Sequence, residues 1–137
     1  MPYATLHLVG TEKTLETKMR LQTLTTDILV DVLNAARPLV AVRIVDEAAD
    51  NWSVAGKPLN QTEGASGVLA VVTIAETAVS EEQIANGVSA LANMLKDVLG
   101  ANLLPPYVVF EVVAENAWGY KGRTIAQIKQ SAKSKPA

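Results

Sequence analysis

Residues 38–56 read PLVAVRIVDEAADNWSVAG, and residues 106–122 read PYVVFEVVAENAWGYKG. Each phrase leaves a proline, runs through β-branched residues, turns acidic and closes on a tryptophan and a glycine. The landmarks repeat at nearly one spacing: 67 from Pro38 to Pro105, 68 from Glu47 to Glu115, and 66 from both Trp52 to Trp118 and Gly56 to Gly122. A phrase repeated at one offset signals a duplicated supersecondary unit.

The flanking sequence carries the same plan twice. Pro2 to Val9 (PYATLHLV) reads as a strand, closed by Gly10-Thr11. Pro2, Ala4, Leu6 and Leu8 share one face of it, and Tyr3, Thr5, His7 and Val9 the other. A helix is predicted from about Thr14 to Asn34, because Leu15, Met19, Leu24, Ile28 and Val32 recur at helical spacing. Arg37-Pro38 marks its exit, and Val40 to Val45 is the second strand. In the second half Val68 to Ile74 is a strand. Ser80-Glu81-Glu82-Gln83 is a capping box opening a helix through Ile84, Val88, Leu91, Leu95 and Val98, which Gly100 stops. Tyr107 to Val113 is the fourth strand.

The fold class is therefore α+β: two tandem β-α-β units, 1–56 and 68–125, forming one domain with a four-stranded mixed sheet and two helices on one face. Residues 57–67 form the connector and 126–137 a mobile, solvated tail. The third strand is apolar on both faces, yet the helices cover only one. Another copy of the chain is expected on the second face.

Composition bounds the function. The chain has 137 residues, 49% apolar and 19% charged, with 8 Gly and 6 Pro. This is one compact globular domain rather than a disordered or low-complexity segment. Twelve basic residues against fourteen acidic ones give a net charge of −2, which argues against a nucleic-acid or anionic-membrane surface. Cysteine is absent, which removes disulfides, thiolate catalysis and zinc-thiolate sites, and a lone histidine removes a multi-histidine metal site. With no apolar run long enough to cross a membrane and no signal-peptide pattern, a soluble cytoplasmic protein is expected.

Met1-Pro2 running straight into a strand, the helix that follows, and the phrase PLVAVRIVDEAADNWSVAG together resemble the tautomerase superfamily, its 4-oxalocrotonate tautomerase-like branch. The chain looks like the double-length form with two fused units. That resemblance implies a trimer, no metal or organic cofactor, and a small carboxylate-bearing substrate. It implies a tautomerase that transfers a proton on an enol or unsaturated 2-keto acid through an N-terminal proline.

On this reading Met1 is removed and Pro2 is the acid/base. A free α-amine titrates at roughly 7.7–8.0. Burial and a nearby cation both push it towards neutrality, where it can take a proton. Arg43 would clamp the substrate carboxylate and a developing enolate, the alternative being an ion pair with a residue such as Asp46. Trp52 would wall the pocket or pack at a subunit contact. Where this branch often carries an arginine after the first strand, the chain reads GTEK, so Lys13 stands as a substitute point charge. Lys57 and Arg123 read as loop charges, His7 as a packed residue and Trp118 as structural. Val68 or Leu69 occupies the second unit's proline place, and Glu111 is read as the counterpart of Arg43. Two other readings stay open. One is a hydratase, dehalogenase or decarboxylase of the same superfamily, disfavoured because Thr77 and Val79 stand where paired arginines would. The other is a non-catalytic trimeric protein.

Overall fold

The computed structural model describes residues 1–61 and 64–134. Strand β1 (Tyr3–Val9) lies at the centre of a four-stranded sheet. It pairs in parallel with β2 (Ala41–Glu47) and antiparallel with β5 (Gly67–Ala75), which pairs in parallel with β6 (Tyr107–Val113). The order β2-β1-β5-β6 is the expected mixed sheet. Each parallel pair is joined by a helical crossover, as parallel strands require. The antiparallel join between β1 and β5 relates the two units by a pseudo-dyad.

The helices start and stop where their caps dictate. In α1 (Leu15–Leu33) the Thr14 hydroxyl accepts the Thr17 amide at 3.1 Å, and Asn34 ends the helix in the left-handed conformation at φ 59°. In α2 (Glu81–Leu99) the Ser80–Gln83 capping box is complete. Both helices lie on the inner face of the sheet. Leu21, Leu29, Leu91 and Leu95 are buried there against Ala4, Leu6, Ala70, Val72 and Ile74. Each such leucine contributes about 1.5–3 kcal/mol by leaving water.

The duplication offset within the elements is 66. Hairpin β3 (Ser53–Val54) to β4 (Lys57–Pro58) matches β7 (Gly119–Tyr120) to β8 (Arg123–Thr124). Both hairpins turn on two successive residues at positive φ: Ala55 at 53° and Gly56 at 77°, Lys121 at 55° and Gly122 at 79°. Such two-residue turns match the twist of the strands they join. The units then diverge. After β4 comes a short 3-10 turn, Leu59–Gln61, whereas β8 leads into a helix of ten residues, α3 (Ile125–Ser134).

Three expectations change here. The segment 126–137 is helical as far as Ser134 rather than a mobile tail, because Ile125 is buried and Arg123 donates to the Gln127 carbonyl at 3.1 Å and to the Ser131 hydroxyl; residues 135–137 lie outside the described residues. The connector 57–67 opens with strand β4 and a buried Leu59, so its first residues belong to unit one; Thr62 and Glu63 lie outside the described residues. Strand β2 extends through Asp46 and Glu47, since the backbone ladder with β1 continues to the Val9–Glu47 pair whatever the side chains are. Lys18 pairs with Asp46, and the His7 Nδ1 lies 3.3 Å from Glu47.

The outer face of the sheet carries Tyr3, Thr5, Arg43, Leu69, Val71, Tyr107 and Val109. Tyr107 is 64% exposed and Val109 43%. Among the described residues no helix is long and apolar enough to cross a membrane.

Candidate active site

Pro2 is fully buried at the N-terminal end of β1, on the inner face with Ala4 and Leu6. Its carbonyl accepts the Ala41 amide at 3.4 Å, which pins the chain end to the sheet. In this chain Met1 precedes it, so the Pro2 nitrogen is an amide and the free amine belongs to Met1. Met1 borders a pocket of about 220 Å³. Met1, Ala75 and Ala78 line it from the sheet side, Trp118 from the second hairpin, and Ile125, Ile128 and Lys129 from α3. A second hollow, of about 320 Å³, shares Met1 and Ala78 with the first and adds Pro2, Asn34, Ala35 and Gln83. Burial, then the Lys129 ammonium, holds the amine below its ordinary 8.0.

Lys129 is fixed in place. Its Nζ donates to Glu115 Oε1 at 2.6 Å and to Thr77 Oγ1 at 3.0 Å. The Thr77 hydroxyl in turn donates to Glu115. Glu115 follows β6, Thr77 follows β5, and Lys129 lies one turn inside α3. Three elements of unit two thus converge on the chain end of unit one.

The pseudo-dyad explains this. Tyr3 pairs with Thr73, near the C-terminal end of β5, so the loop after β5 sits beside Pro2. Conversely Val9 pairs with Gly67, so the loop after β1, which carries Lys13, sits at the start of β5. Lys13 therefore lies at the far end of β1 from Pro2 within the chain, about 20 Å away along a seven-residue strand.

Trp52 is at that far end too. Its ring packs on Gly67, where an added Cβ would approach Cε2 to 3.4 Å, and lies 6.1 Å from the Tyr107 ring. Trp118 is the tryptophan that the fold brings to the chain end, in the pocket that Met1 lines. Arg43 is on the outer face: its backbone is in register with Thr5, and its side chain bonds to Tyr3. Hydrogen bonds with Thr5 and then Arg43 hold the Tyr3 phenol below 10.0. Within one chain, then, Pro2, Arg43, Trp52 and Lys13 are not brought together. Met1, which precedes Pro2, shares a pocket with Trp118 and Lys129 instead, and Glu115 and Thr77 hold Lys129. Trp118 could have been found by applying the dyad to the repeat. Lys129 carried no such signal, because a lysine in a polar C-terminal stretch looks like any solvated charge.

Register also settles the counterparts. Tyr3 opposes Ala41 as Leu69 opposes Tyr107, so Val68 takes the place of Pro2 and Val109, not Glu111, the place of Arg43. Glu111 accepts from Thr73 at 3.1 Å. The reason is that the offset is 66 throughout the sheet. Of the two loop charges, Arg123 anchors α3, and Lys57 is exposed.

No family model and no curated protein matches the chain. Solved structures do. Pt0534, in a crystal structure of the protein inactivated by 2-oxo-3-pentynoate, is 20% identical with a TM-score of 0.80, over 92% of this chain and 98% of that one. The chain has the tautomerase fold. A fused 4-OT, Q0, solved as a symmetric trimer, superposes at a TM-score of 0.78 and 22% identity over 90% of this chain and 96% of its own. N1, a member of the cis-3-chloroacrylic acid dehalogenase family, does so at 0.70 and 17%, over 96% and 92%. The likeness is one of fold, in the fused, double-length variety of the tautomerase architecture.

Proposed function

We propose that this chain is a cofactor-independent tautomerase that moves a proton on an enol or unsaturated 2-keto acid, with Pro2 as the acid/base once Met1 has been removed. The observation that carries the reading is the sheltered pocket at the chain end, where Trp118, Ile125 and Ile128 exclude water and Lys129 adds positive charge. Both influences favour a neutral amine at pH 7. A neutral secondary amine in a dry site takes a proton from one carbon or oxygen and returns it to another, with no cofactor needed. Fused 4-OT structures of this fold are trimers, which supports a trimer here. The uncovered outer face, with Tyr107 and Val109 exposed, supports the same assembly. In such an assembly Arg43, on the outer face, and Trp52 and Lys13, at the far end of β1, serve a neighbouring copy's pocket. Arg43 then clamps carboxylate or enolate oxygen through its fork of donors, as one fixed guanidinium does best.

Intact mass and the ketonisation of phenylenolpyruvate or 2-hydroxymuconate test the reading. The expected result is a mass lacking Met1 and a loss of at least about a hundredfold in kcat/KM on Pro2→Ala. A Pro2→Ala protein as fast as the parent overturns it.

A further inference from the structure

We infer that copies of this chain join in one order only, unit one of each against unit two of the next, with Arg43 on β2 set against Glu111 on β6 of the neighbouring copy. The inference rests on the trimer proposed above and deepens it. If Arg43 serves a neighbour's pocket, the order of joining decides whether all three pockets are alike.

The fold alone leaves that order open. Fused 4-OT trimers occur in symmetric and in asymmetric form. The sheet has two open edges, β2 and β6, and the pseudo-dyad makes its two halves alike in backbone, so a copy fits either way round. In a ring of cyclic symmetry every junction brings unlike edges together. Reversing one copy leaves one such junction and creates one of β2 against β2 and one of β6 against β6.

Side chains tell the edges apart. Glu111 is the only charged residue on β5 and β6. On unit one's strands Asp46 is paired with Lys18, and Glu47 lies against His7. Arg43 is the charge there without an ion-pair partner among the described residues. Glu111 likewise has a hydroxyl for its partner, that of Thr73, and no cation. Arg43 and Glu111 are both exposed on the outer face, and each lies one residue from the middle of its strand, Ile44 or Phe110. A β2–β2 junction therefore brings arginine towards arginine, and a β6–β6 junction brings carboxylate towards carboxylate. Like charges facing each other across an interface select against that partner.

The unlike junction brings opposite charges together. Register across the sheet sets Glu111 level with Thr73, Tyr3 and Ala41, two residues from Arg43. For sheets laid edge to edge that is about 7 Å along the strand direction, within the reach of an arginine side chain. The β6 edge also needs a cover, since Tyr107, Val109 and Val112 are exposed along it and a bare apolar edge pairs with another chain. A guanidinium has five N–H donors and a carboxylate occupies two, so Arg43 held by Glu111 keeps donors for a substrate oxygen.

The chain has no cysteine and two tryptophans, which makes the order measurable. In a symmetric ring all copies are equivalent, so the parent trimer should show two indole N–H resonances by NMR; a larger set overturns the inference. Arg43→Cys and Glu111→Cys, combined in one chain and treated with a short bismaleimide, should give covalent trimers, and neither single variant should cross-link. A double variant that stays uncross-linked, or dimers from a single variant, overturns the juxtaposition. Glu111→Lys should weaken the trimer at least about tenfold in sedimentation, as like charges now face each other at every junction, and Arg43→Glu with Glu111→Arg should restore it. A Glu111→Lys trimer as tight as the parent overturns the contact. None of these readouts uses activity. A parent that sediments as a monomer overturns the inference, and the tautomerase reading is still decided by Pro2→Ala.

Discussion

The Ile125 amide donates to the Trp118 carbonyl at 2.8 Å, and the same bond at the same length joins Leu59 to Trp52 in the first unit. In both places the bond closes a hairpin and turns the chain back over its tryptophan. Only after Ile125 does a helix of ten residues follow. One shared local bond thus leads to two different outcomes, and the difference puts Lys129 beside Met1.

Trp118 shelters the amine, so its truncation should wet the pocket. Trp118→Ala is expected to raise the amine's pKa towards 8.0 and to lower kcat/KM at pH 7. Trp118→Phe, which keeps an apolar ring, should stay near the parent. Titration of the terminal amine by NMR, together with ketonisation rates, checks both.

The amine also links stability to pH. Its pKa in the folded chain is lowered by burial and by Lys129, so the unfolded chain protonates first as pH falls. The protein bearing this amine should therefore be most stable above pH 8 and lose stability as pH drops from 8.0 through the lowered value. Acetylating the terminus should remove that slope. Urea midpoints of the free and acetylated proteins, compared from pH 6 to 9, decide it.

Thr25 lies wholly inside α1's buried face, and its hydroxyl has no hydrogen-bond partner. Thr25→Val keeps the shape and removes the stranded polar group. A gain of about 1 kcal/mol in unfolding free energy is expected. An unchanged or lower urea midpoint would count against it.

Gly87 lets α2 approach β6, because a Cβ there would come within 2.8 Å of Phe110 Cζ. Gly87→Val should cost about 1–3 kcal/mol through overpacking. Pairing it with Phe110→Leu should recover part of the loss, as contacting sites are not additive. Thermal melts of the two single variants and the double variant test both statements.

Much of the fold was legible in the chain. The capping box at Ser80 and the stop at Gly100 were both correct, because helix ends are satisfied by near neighbours in sequence. The two faces of β1 follow a period of two, with Ala4, Leu6 and Leu8 buried on the inner one, although Thr5 and Val9 on the other face are buried as well. The site was read less well. Trp52 matched a motif, yet it follows β2, which runs parallel to β1, and so lies at the opposite end of the sheet from its own unit's proline. Lys13 follows the C-terminal end of β1 and so lies away from the Pro2 of its own chain.

The amino-acid order alone determined the two units, their caps, their turns and which strand faces go inward, because each depends on interactions spanning a few residues. Which tryptophan and which lysine share a pocket with the chain end was decided only by tertiary structure. The pseudo-dyad between β1 and β5 exchanges the strand ends, so each unit completes the other's pocket, and no local pattern encodes that exchange.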